Sequence, residues 1–247
     1  MIIREKPFFA SRVFGKQAAP GSAKIRSTFW ICAGDLMPYR IHTLVNGSLE
    51  QNCYFIHVEG ASEGILIDPG SSPEDLRRGL DKIPARPALM IATHGHFDHI
   101  GAVQDLAEAY HCPFGMSRLD EGLLDTLADT SAFYGLGDAR RPTVDLWLEP
   151  SLLEKAGIHL RVLATPGHTP GGLCFWHEAS RSLFSGDTLF AGSIGRSDFE
   201  GSSHEQLIAS IRRELFVLQD PDTIKVYPGH GESTTLGKEK RHNPFLQ

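Results

Sequence analysis

The sequence of 247 residues contains only four cysteines, and no two of them form a C-x-x-C pair. This spacing excludes a disulfide scaffold and a thiolate metal site, and it favours a reducing, cytoplasmic location. No apolar run approaches the ~18 residues of a membrane span. Basic residues number 24 against 30 acidic ones, a net charge of −6. That sign argues against nucleic-acid binding. We therefore expect neither a membrane nor a nucleic-acid partner.

The first 36 residues differ in composition from the remainder. They carry six basic and two acidic residues and show no apolar periodicity. They also lack the apolar segment of about 7–15 residues that defines a secretory signal, although their arginine content is similar to that of a transit peptide. We predict that residues 1–36 are a flexible, dispensable extension and that residues 37–247 form a single domain.

Patterns of strands and helices alternate from residue 37 onward. Runs rich in β-branched and aromatic residues predict strands at 40–46, 52–59, 64–68, 88–92, 158–164, 172–177, 182–186 and 223–227. Helices are predicted from Ser72 to residue 83, over 100–110, and from Ser203 to residue 218. Residues 129–150 are predicted to be a long loop. This mixture predicts an α+β fold with helices packed outside a sheet-containing core.

A dense ligand motif, H-x-H-x-D-H, directly follows the predicted strand at 88–92. It contains His94, His96, Asp98 and His99. A chain of this composition would contain about 0.002 copies by chance. Imidazole and carboxylate are ligands of zinc and related ions, and a strand-to-helix turn can direct several of them into one pocket. The motif therefore predicts a metal site rather than a polar turn.

Three further residues of the same chemical type also follow predicted strands. They are His168 in P-G-H-T-P-G, Asp187 in S-G-D-T and His230 in P-G-H-G. Each of these alone is typical of a glycine-rich turn. Together with the first motif they supply seven nitrogen and oxygen ligands, which is enough for two metal ions that share one carboxylate.

These motifs, in this order and spacing, resemble the metallo-β-lactamase superfamily from about residue 37 to 247. Segments 195–198, 233–237 and 243–246 further resemble compact bacterial glyoxalase II-like hydrolases, the hydroxyacylglutathione hydrolases. The resemblance implies an αββα sandwich with two metal ions at one edge of its sheets. By motif position, the first ion would be held by His94, His96 and His168, the second by Asp98, His99 and His230, with Asp187 bridging them.

The resemblance also assigns roles around the two ions. Asp68 matches a position behind the histidines, where it would orient a ligand imidazole, although an Asx-type turn is an alternative role. The ligand types favour zinc, with iron or manganese compatible. Arg196 matches the basic residue that meets the glutathione moiety, and Tyr227 is a further candidate for substrate binding at the rim.

The chemistry of such a centre suggests thioester hydrolysis. Two ions ~3.5–4 Å apart can share a water and lower its pKa towards ~7, so that a bridging hydroxide attacks the carbonyl. A thiol with a pKa near ~8.5 can leave as thiolate without a general acid. Asp98 is a candidate to hold the proton of the attacking water. The expected reaction is hydrolysis of S-D-lactoylglutathione to glutathione and D-lactate, as in methylglyoxal detoxification.

Other activities on this scaffold remain open from the sequence. A persulfide dioxygenase would use one iron held by His94, His168 and Asp187. A lactonase or β-lactamase is also compatible, because the metal centre does not select the acyl group. Metal content separates the first alternative from a hydrolase with two ions. No feature of the sequence indicates an oligomeric state.

Overall fold

The computed structural model describes residues 38–137 and 139–247, together with the backbone of two strands among residues 13–30. The strands are β1 (Val13–Gly15), β2 (Lys24–Trp30), β3 (Tyr39–Asn46), β4 (Gln51–Val58), β5 (Glu63–Ile67), β6 (Arg86–Ile91), β7 (Phe114–Met116), β8 (Leu146–Trp147), β9 (Leu152–Lys155), β10 (Ile158–Ala164), β11 (Leu173–His177), β12 (Ser182–Gly186), β13 (Leu189–Phe190), β14 (Ser193–Ile194), β15 (Lys225–Pro228) and β16 (Thr234–Thr235). The α-helices are α1 (Pro73–Leu80), α2 (Phe97–Ile100), α3 (Val103–Tyr110), α4 (Leu127–Phe133), α5 (His204–Ser210) and α6 (Leu236–His242). Short 3₁₀ helices span Arg118–Asp125 and Pro221–Thr223, and a π-helical turn at Ile211–Leu215 continues α5.

Two sheets are formed by the described strands. In the first, β1 to β8 lie side by side in sequence order. Its strands are antiparallel from β1 to β5 and parallel from β5 to β8. The second sheet has the order β16-β15-β12-β11-β10-β9, with β12 and β15 parallel and the other neighbours antiparallel. A small hairpin of β13 and β14 stands apart from both sheets.

Alternating side chains divide the core into layers. Along β5, Ile65 and Ile67 face the second sheet, whereas Leu66 packs with Leu76 of α1 and Leu106 of α3. The outer face of the second sheet packs in the same way against α5 and α6. Because both faces of the sheets are covered at their centre, every residue of β4, β11 and β12 is buried, including polar ones. The layer order helix, sheet, sheet, helix confirms the predicted αββα sandwich.

Several local predictions need correction or extension. The predicted loop at 129–150 contains most of α4 and all of β8. Ser203 caps α5 by accepting a hydrogen bond from the Gln206 amide at 3.2 Å, as predicted, whereas the Ser72 side chain makes no such bond to α1. Strand pairing begins before residue 37, because β2 pairs with β3. Apart from β1 and β2, the segment 1–36 lies outside the described residues, and its dispensability stays a prediction.

The three cysteines within residues 38–247, Cys53, Cys112 and Cys174, are all buried and free. They act as small core side chains, as expected from their spacing. Among the described helices, none combines the length and apolar character that a membrane span requires.

Candidate metal centre

The ligand-type residues meet where strand ends of the two sheets come together. The segment after β6 carries the first motif, and the segments after β10, β12 and β15 carry the others. Backbone hydrogen bonds join the two sheets at this edge, from Leu173 N to Thr93 O at 2.7 Å and from Asn52 N to Gly229 O at 2.8 Å. The fold therefore brings residues that are far apart in sequence into one cleft.

The first cluster consists of three imidazoles. His96 Nδ1 lies 3.0 Å from His94 Nε2 and 3.0 Å from His168 Nε2. The three rings stand nearly perpendicular to one another, with interplanar angles of 84°, 79° and 89°. Nitrogens bound to one tetrahedral zinc ion lie about 3.3 Å apart. The spacing of this cluster is therefore close to that of a three-histidine metal site.

The second cluster lies beside the first and includes a carboxylate. His230 Nε2 lies 3.1 Å from Asp98 Oδ2, and His99 Nε2 lies 3.9 Å from the same oxygen. The three residues offer ligand atoms that all lie within 4.8 Å of one another. His99 is completely buried. A metal ion that is bound here would reach solvent only through the cleft.

Asp187 lies between the two clusters and contacts both of them, since its Oδ2 is also 3.9 Å from His230 Nε2. Its Oδ1 is 3.3 Å from His99 Nε2, and its Oδ2 is 3.6 Å from His168 Nε2. Within the described residues, the buried atoms His99 Nε2 and Asp187 Oδ1 have no hydrogen-bond partner. Leaving such atoms unpaired is costly, which indicates that a group absent from the protein chain completes this site.

The protonation of His94 and His99 is set by one buried aspartate. Asp68 accepts hydrogen bonds from the Thr93 amide at 2.6 Å, the Thr93 hydroxyl at 2.8 Å and His99 Nδ1 at 3.1 Å. Because the Thr93 hydroxyl gives its proton to Asp68, it accepts one from His94 Nδ1 at 3.1 Å. The Nδ1 atom of each ring therefore carries a proton, and Nε2 is the atom that each ring directs into the cleft.

His168 and His230 are oriented by backbone carbonyls. His168 Nδ1 donates to Arg196 O at 2.7 Å, and His230 Nδ1 donates to Leu49 O at 3.1 Å. Since a carbonyl only accepts, Nδ1 of each ring carries a proton, and a neutral His168 keeps its lone pair on Nε2. His230 Nε2, in contrast, donates to the carboxylate oxygen Asp98 Oδ2 at 3.1 Å. The nitrogen of His96 that faces the cluster can supply one proton at most. At least one lone pair in the first cluster therefore faces another lone pair, and a bound cation would remove this conflict.

The electrostatic environment shifts the pKa values of three residues of the site. Burial, together with neighbouring imidazoles such as His99, lowers the pKa of His94 well below its usual value. Burial alone would raise the pKa of Asp187, but His99 and the other histidines hold it well below its usual value. Burial opposes a charge on His99, yet Asp187 and the nearby carboxylates raise the pKa of His99 well above its usual value. A neutral His94 and an ionised Asp187 are the forms that bind metal ions.

Glycine is required close to both clusters. A Cβ atom on Gly229 would collide with Asp187 Oδ1 and would lie 2.6 Å from His99 Cε1. A Cβ atom on Gly195 would collide with the Asp187 carbonyl and would lie 3.1 Å from His168 Nδ1. The glycines of the P-G-H-G and I-G-R segments therefore allow the backbone to approach the ligand side chains.

The clusters open into a cleft of about 730 Å³ with mainly apolar walls. Its apolar lining includes Leu49, Phe97, Leu127, Phe190, Ile194 and Phe199. Arg196 lies at the rim, where its exposed guanidinium donates to both oxygens of Asp198 at 3.0 and 2.9 Å and stacks 4.5 Å from the Phe199 ring. An arginine at the mouth of an apolar cleft can bind the carboxylate of a substrate.

Tyr227 is not at the rim, in contrast to the sequence-based expectation. It is 2% exposed and packs between the sheets against Tyr54 and Phe184. The reason is the alternation along β15, where Val226 faces the outer helices and Tyr227 faces the opposite sheet. Tyr227 supports the core beneath the cleft rather than a substrate.

Asp120 is a buried carboxylate that the motifs did not indicate. It accepts hydrogen bonds from the Gly95 and Gly171 amides and the Thr169 hydroxyl. Burial raises the pKa of Asp120, and these hydrogen bonds counter that effect. Asp120 follows the end of β7 on the same side as the ligands. Because β7 was not among the predicted strands, the rule that polar residues cluster at strand ends did not lead to Asp120.

The chain is similar to several known proteins. The family model of the Metallo-beta-lactamase superfamily matches residues 46–230. Hydroxyacylglutathione hydrolase GloC of Haemophilus influenzae is 36% identical over 202 residues, which cover 81% of this chain and 94% of the relative. Among solved structures, TTHA1623 in a di-iron-bound form is 37% identical with a TM-score of 0.74, covering 83% of this chain and 99% of that one. The BLEG-1 B3 metallo-beta-lactamase is 32% identical with a TM-score of 0.77 and the same coverage.

Proposed function

Because the chain belongs to the metallo-beta-lactamase superfamily, in which it is a metallo-hydrolase, we propose that it hydrolyses S-D-lactoylglutathione to glutathione and D-lactate. The observation that carries this proposal is the pair of ligand clusters that share Asp187 at the base of a cleft with Arg196 at its rim. The similarity to hydroxyacylglutathione hydrolase GloC supports the choice of substrate.

The ligand set fits two divalent ions, zinc by the chemistry of the donors, with iron or manganese compatible. His94, His96 and His168 would hold one ion, Asp98, His99 and His230 the other, and Asp187 would contribute one oxygen to each. When bound, the ions would polarise the thioester carbonyl and acidify a water towards a pKa of ~7.

The chain's own residues orient the reacting groups. Water adds to the thioester carbonyl as a new C–O bond forms, and the C–S bond then breaks. Asp98 lines the cleft with its Oδ2 3.1 Å from His230 Nε2, and we assign to it the proton of the attacking water. The departing thiol has a pKa near ~8.5, so it leaves as thiolate and needs no acid from the protein.

The rim of the cleft provides binding for the glutathione moiety. The guanidinium of Arg196 is exposed and would exchange Asp198 for a glutathione carboxylate, forming two parallel hydrogen bonds. Phe199 lies with its ring centroid 5.5 Å from that of His96, and it would cover the thioester from solvent. Phe190 contributes a second aromatic wall near His230.

The test combines metal analysis with a thioester assay on one purified sample. We expect two ions per chain, release of thiol from S-D-lactoylglutathione, loss of this activity on chelation and its recovery on adding zinc. One iron per fully active chain, with oxygen consumption on a persulfide substrate, would instead establish a dioxygenase. Hydrolysis of a lactone without any thioester cleavage would leave a metallo-hydrolase but overturn the proposed substrate.

A further inference from the structure

Asp120 is a buried carboxylate outside the two ligand clusters. It lies on the 3₁₀ helix Arg118–Asp125 and is only 1% exposed. Its Oδ2 accepts hydrogen bonds from Gly95 N at 2.9 Å and from Thr169 Oγ1 at 2.8 Å, and its Oδ1 accepts one from Gly171 N at 2.6 Å. Three donors satisfy a carboxylate that has no salt bridge among the described residues.

The three donors lie beside the histidines of the first cluster. Gly95 stands between His94 and His96, and Thr169 directly follows His168. The two segments are far apart in sequence, and Asp120 is hydrogen-bonded to both. It therefore fixes the separation between the loop that carries two of the imidazoles and the loop that carries the third.

We propose that Asp120 is a positioning residue that aligns the first cluster for a divalent ion. This inference rests on the metal binding assigned above and adds a residue that touches neither the ion nor the substrate. The loops pack closely around the carboxylate, since a Cβ atom on Gly171 would lie 2.6 Å from Asp120 Cγ, and one on Gly95 would lie 3.0 Å from Asp120 Cβ.

Replacing one oxygen by an amide should break this arrangement without changing the size of the side chain. In Asp120→Asn, the –NH₂ group faces the Gly171 amide in one orientation and the Gly95 amide and Thr169 hydroxyl in the other. In the first orientation the –NH₂ group meets the Gly171 N–H, so two donors face each other. In the second orientation it meets the Gly95 N–H with the same result. One loop is therefore released from the carboxylate, and the imidazole that it carries loses its fixed distance to the others.

The effect should be confined to the first cluster. The second cluster has its own direct carboxylate partner in Asp68, which accepts a hydrogen bond from His99 Nδ1 at 3.1 Å and reaches the first cluster only through Thr93. The Gly95 amide, the Thr169 hydroxyl and the Gly171 amide donate to Asp120, and none of these three groups donates to Asp98, His99 or His230. Loss of Asp120 should therefore lower the affinity of the first cluster for its metal ion and leave the affinity of the second cluster unchanged.

Glu239 provides a matched control. It is 1% exposed and also accepts three hydrogen bonds, from the Gly192 amide at 2.8 Å, Asn243 Nδ2 at 2.9 Å and the Thr234 hydroxyl at 2.6 Å. Its donors are not next to any of the seven ligands. Glu239→Gln therefore disturbs a buried carboxylate of the same kind without reaching the metal clusters.

The experiment measures zinc binding by competition with a chromophoric chelator, together with the melting temperature of each variant. We expect Asp120→Asn to lower the affinity for one of the two zinc ions about ten- to hundredfold, which is the usual effect of losing a residue that hydrogen-bonds to the ligands of a metal site. Glu239→Gln should keep both zinc affinities within about twofold, even if its melting temperature falls. Equal losses of zinc affinity in the two variants, or none in Asp120→Asn, would overturn the proposal.

A second background identifies which ion is affected. His168→Ala should retain only the ion of the second cluster, and adding Asp120→Asn to it should cause no further loss, whereas adding Asp68→Asn should. Weaker binding of that remaining ion in the Asp120→Asn double variant would contradict the proposed role.

If Asp120→Asn does not fold, Thr169→Val provides a milder test because it removes a single donor. It should lower the affinity for the same ion by a smaller factor, and an unchanged affinity would overturn the proposal. These measurements monitor zinc binding and not thioester hydrolysis. Their result therefore does not depend on whether the proposed substrate is correct.

Discussion

His99 Nε2 and Asp187 Oδ1 face each other at 3.3 Å, and neither of these buried atoms has another hydrogen-bond partner among the described residues. The other nitrogen of His99 is committed to Asp68. The raised pKa of His99 and the lowered pKa of Asp187 make this contact an ion pair, and the same two atoms are the ones that would face a metal ion. Asp187 contacts both clusters, because its Oδ1 lies near His99 and its Oδ2 lies 3.6 Å from His168 Nε2 and 3.9 Å from His230 Nε2, which makes it an informative position for mutation.

Asp187→Ala should remove the link between the two clusters. We expect the zinc content to fall from two ions to one or fewer per chain, and thioester hydrolysis to fall by at least about a hundredfold, because both ions lose a ligand. Metal analysis and kcat on the same preparation measure these effects. Asp222→Ala is the control, since Asp222 is exposed and pairs with Arg241 away from the cleft. Two retained ions in Asp187→Ala would contradict the bridging role.

Arg196→Ala should weaken substrate binding and leave the chemistry nearly intact. Its backbone carbonyl, which orients His168, remains in the variant, and only the exposed guanidinium is lost. We expect KM for S-D-lactoylglutathione to rise about tenfold with kcat nearly unchanged. Steady-state kinetics on this substrate, and on a thioester without a carboxylate, provide the measurement. Equal effects on both thioesters would show that Arg196 does not recognise the glutathione moiety.

Two further variants sharpen the result for Arg196. Asp198→Asn weakens the internal partner of the guanidinium, so KM for the glutathione thioester should fall while KM for the uncharged thioester stays constant. Arg241→Ala is the matched control, because it removes another exposed arginine that is paired with an aspartate but lies outside the cleft. A change of KM in Arg241→Ala would point to a general charge effect instead.

Much of the site was predictable because its residues occupy strand ends. His94, His168, Asp187 and His230 each follow a predicted strand, and strand ends of packed sheets meet at one edge. The sequence could not reveal Asp120 in the same way. Its three donors lie 25, 49 and 51 residues away, and their meeting depends on how the two sheets pack.

Tyr227 shows the opposite error. It lies three residues before His230 in the sequence, yet strand alternation turns it into the core. Proximity to a motif therefore predicts position along the strand but not the face on which a side chain lies. The helix α4 was missed for a different reason: its seven residues show no apolar stripe, since the two that it buries are Leu127 and Ser131 while Phe133 is exposed.

Acid should destabilise the protein through buried histidines remote from the metal clusters. Burial, with a smaller contribution from His159, lowers the pKa of His177 to about 4. Between pH 6.5 and 4 the unfolded chain binds a proton at this position and the folded chain does not, so folding stability is complete above this range and falls as the pH decreases through it. The free energy of unfolding of the unmodified protein should decrease between pH 7 and 4.5. In His177→Gln this decrease should be smaller by about 2 kcal/mol.

The comparison for His177 is urea denaturation of both proteins over this pH range with matched metal content. The metal ligands are common to the two proteins, so their titration cancels in the difference between the curves. His177 Nδ1 lies 2.6 Å from the Ser180 hydroxyl, and glutamine at this position can still form a hydrogen bond there. Parallel stability curves for the two proteins would rule out His177 as the source of the acid sensitivity.

A chain that begins at Met37 should fold and retain the activity of the full chain. None of the seven ligands lies before residue 94, and the superfamily match begins at residue 46. Removal of residues 1–36 deletes β2, which pairs with β3 at seven positions, so an edge of the first sheet becomes unpaired. We expect kcat within about twofold and two bound ions, with a melting temperature a few degrees lower, since each kcal/mol lost from a domain of this size costs roughly 2–4 °C. Thermal unfolding and thioesterase rates of both proteins, compared at equal metal loading, measure these effects. An insoluble or inactive truncated chain would show that residues 1–36 are an essential part of the fold.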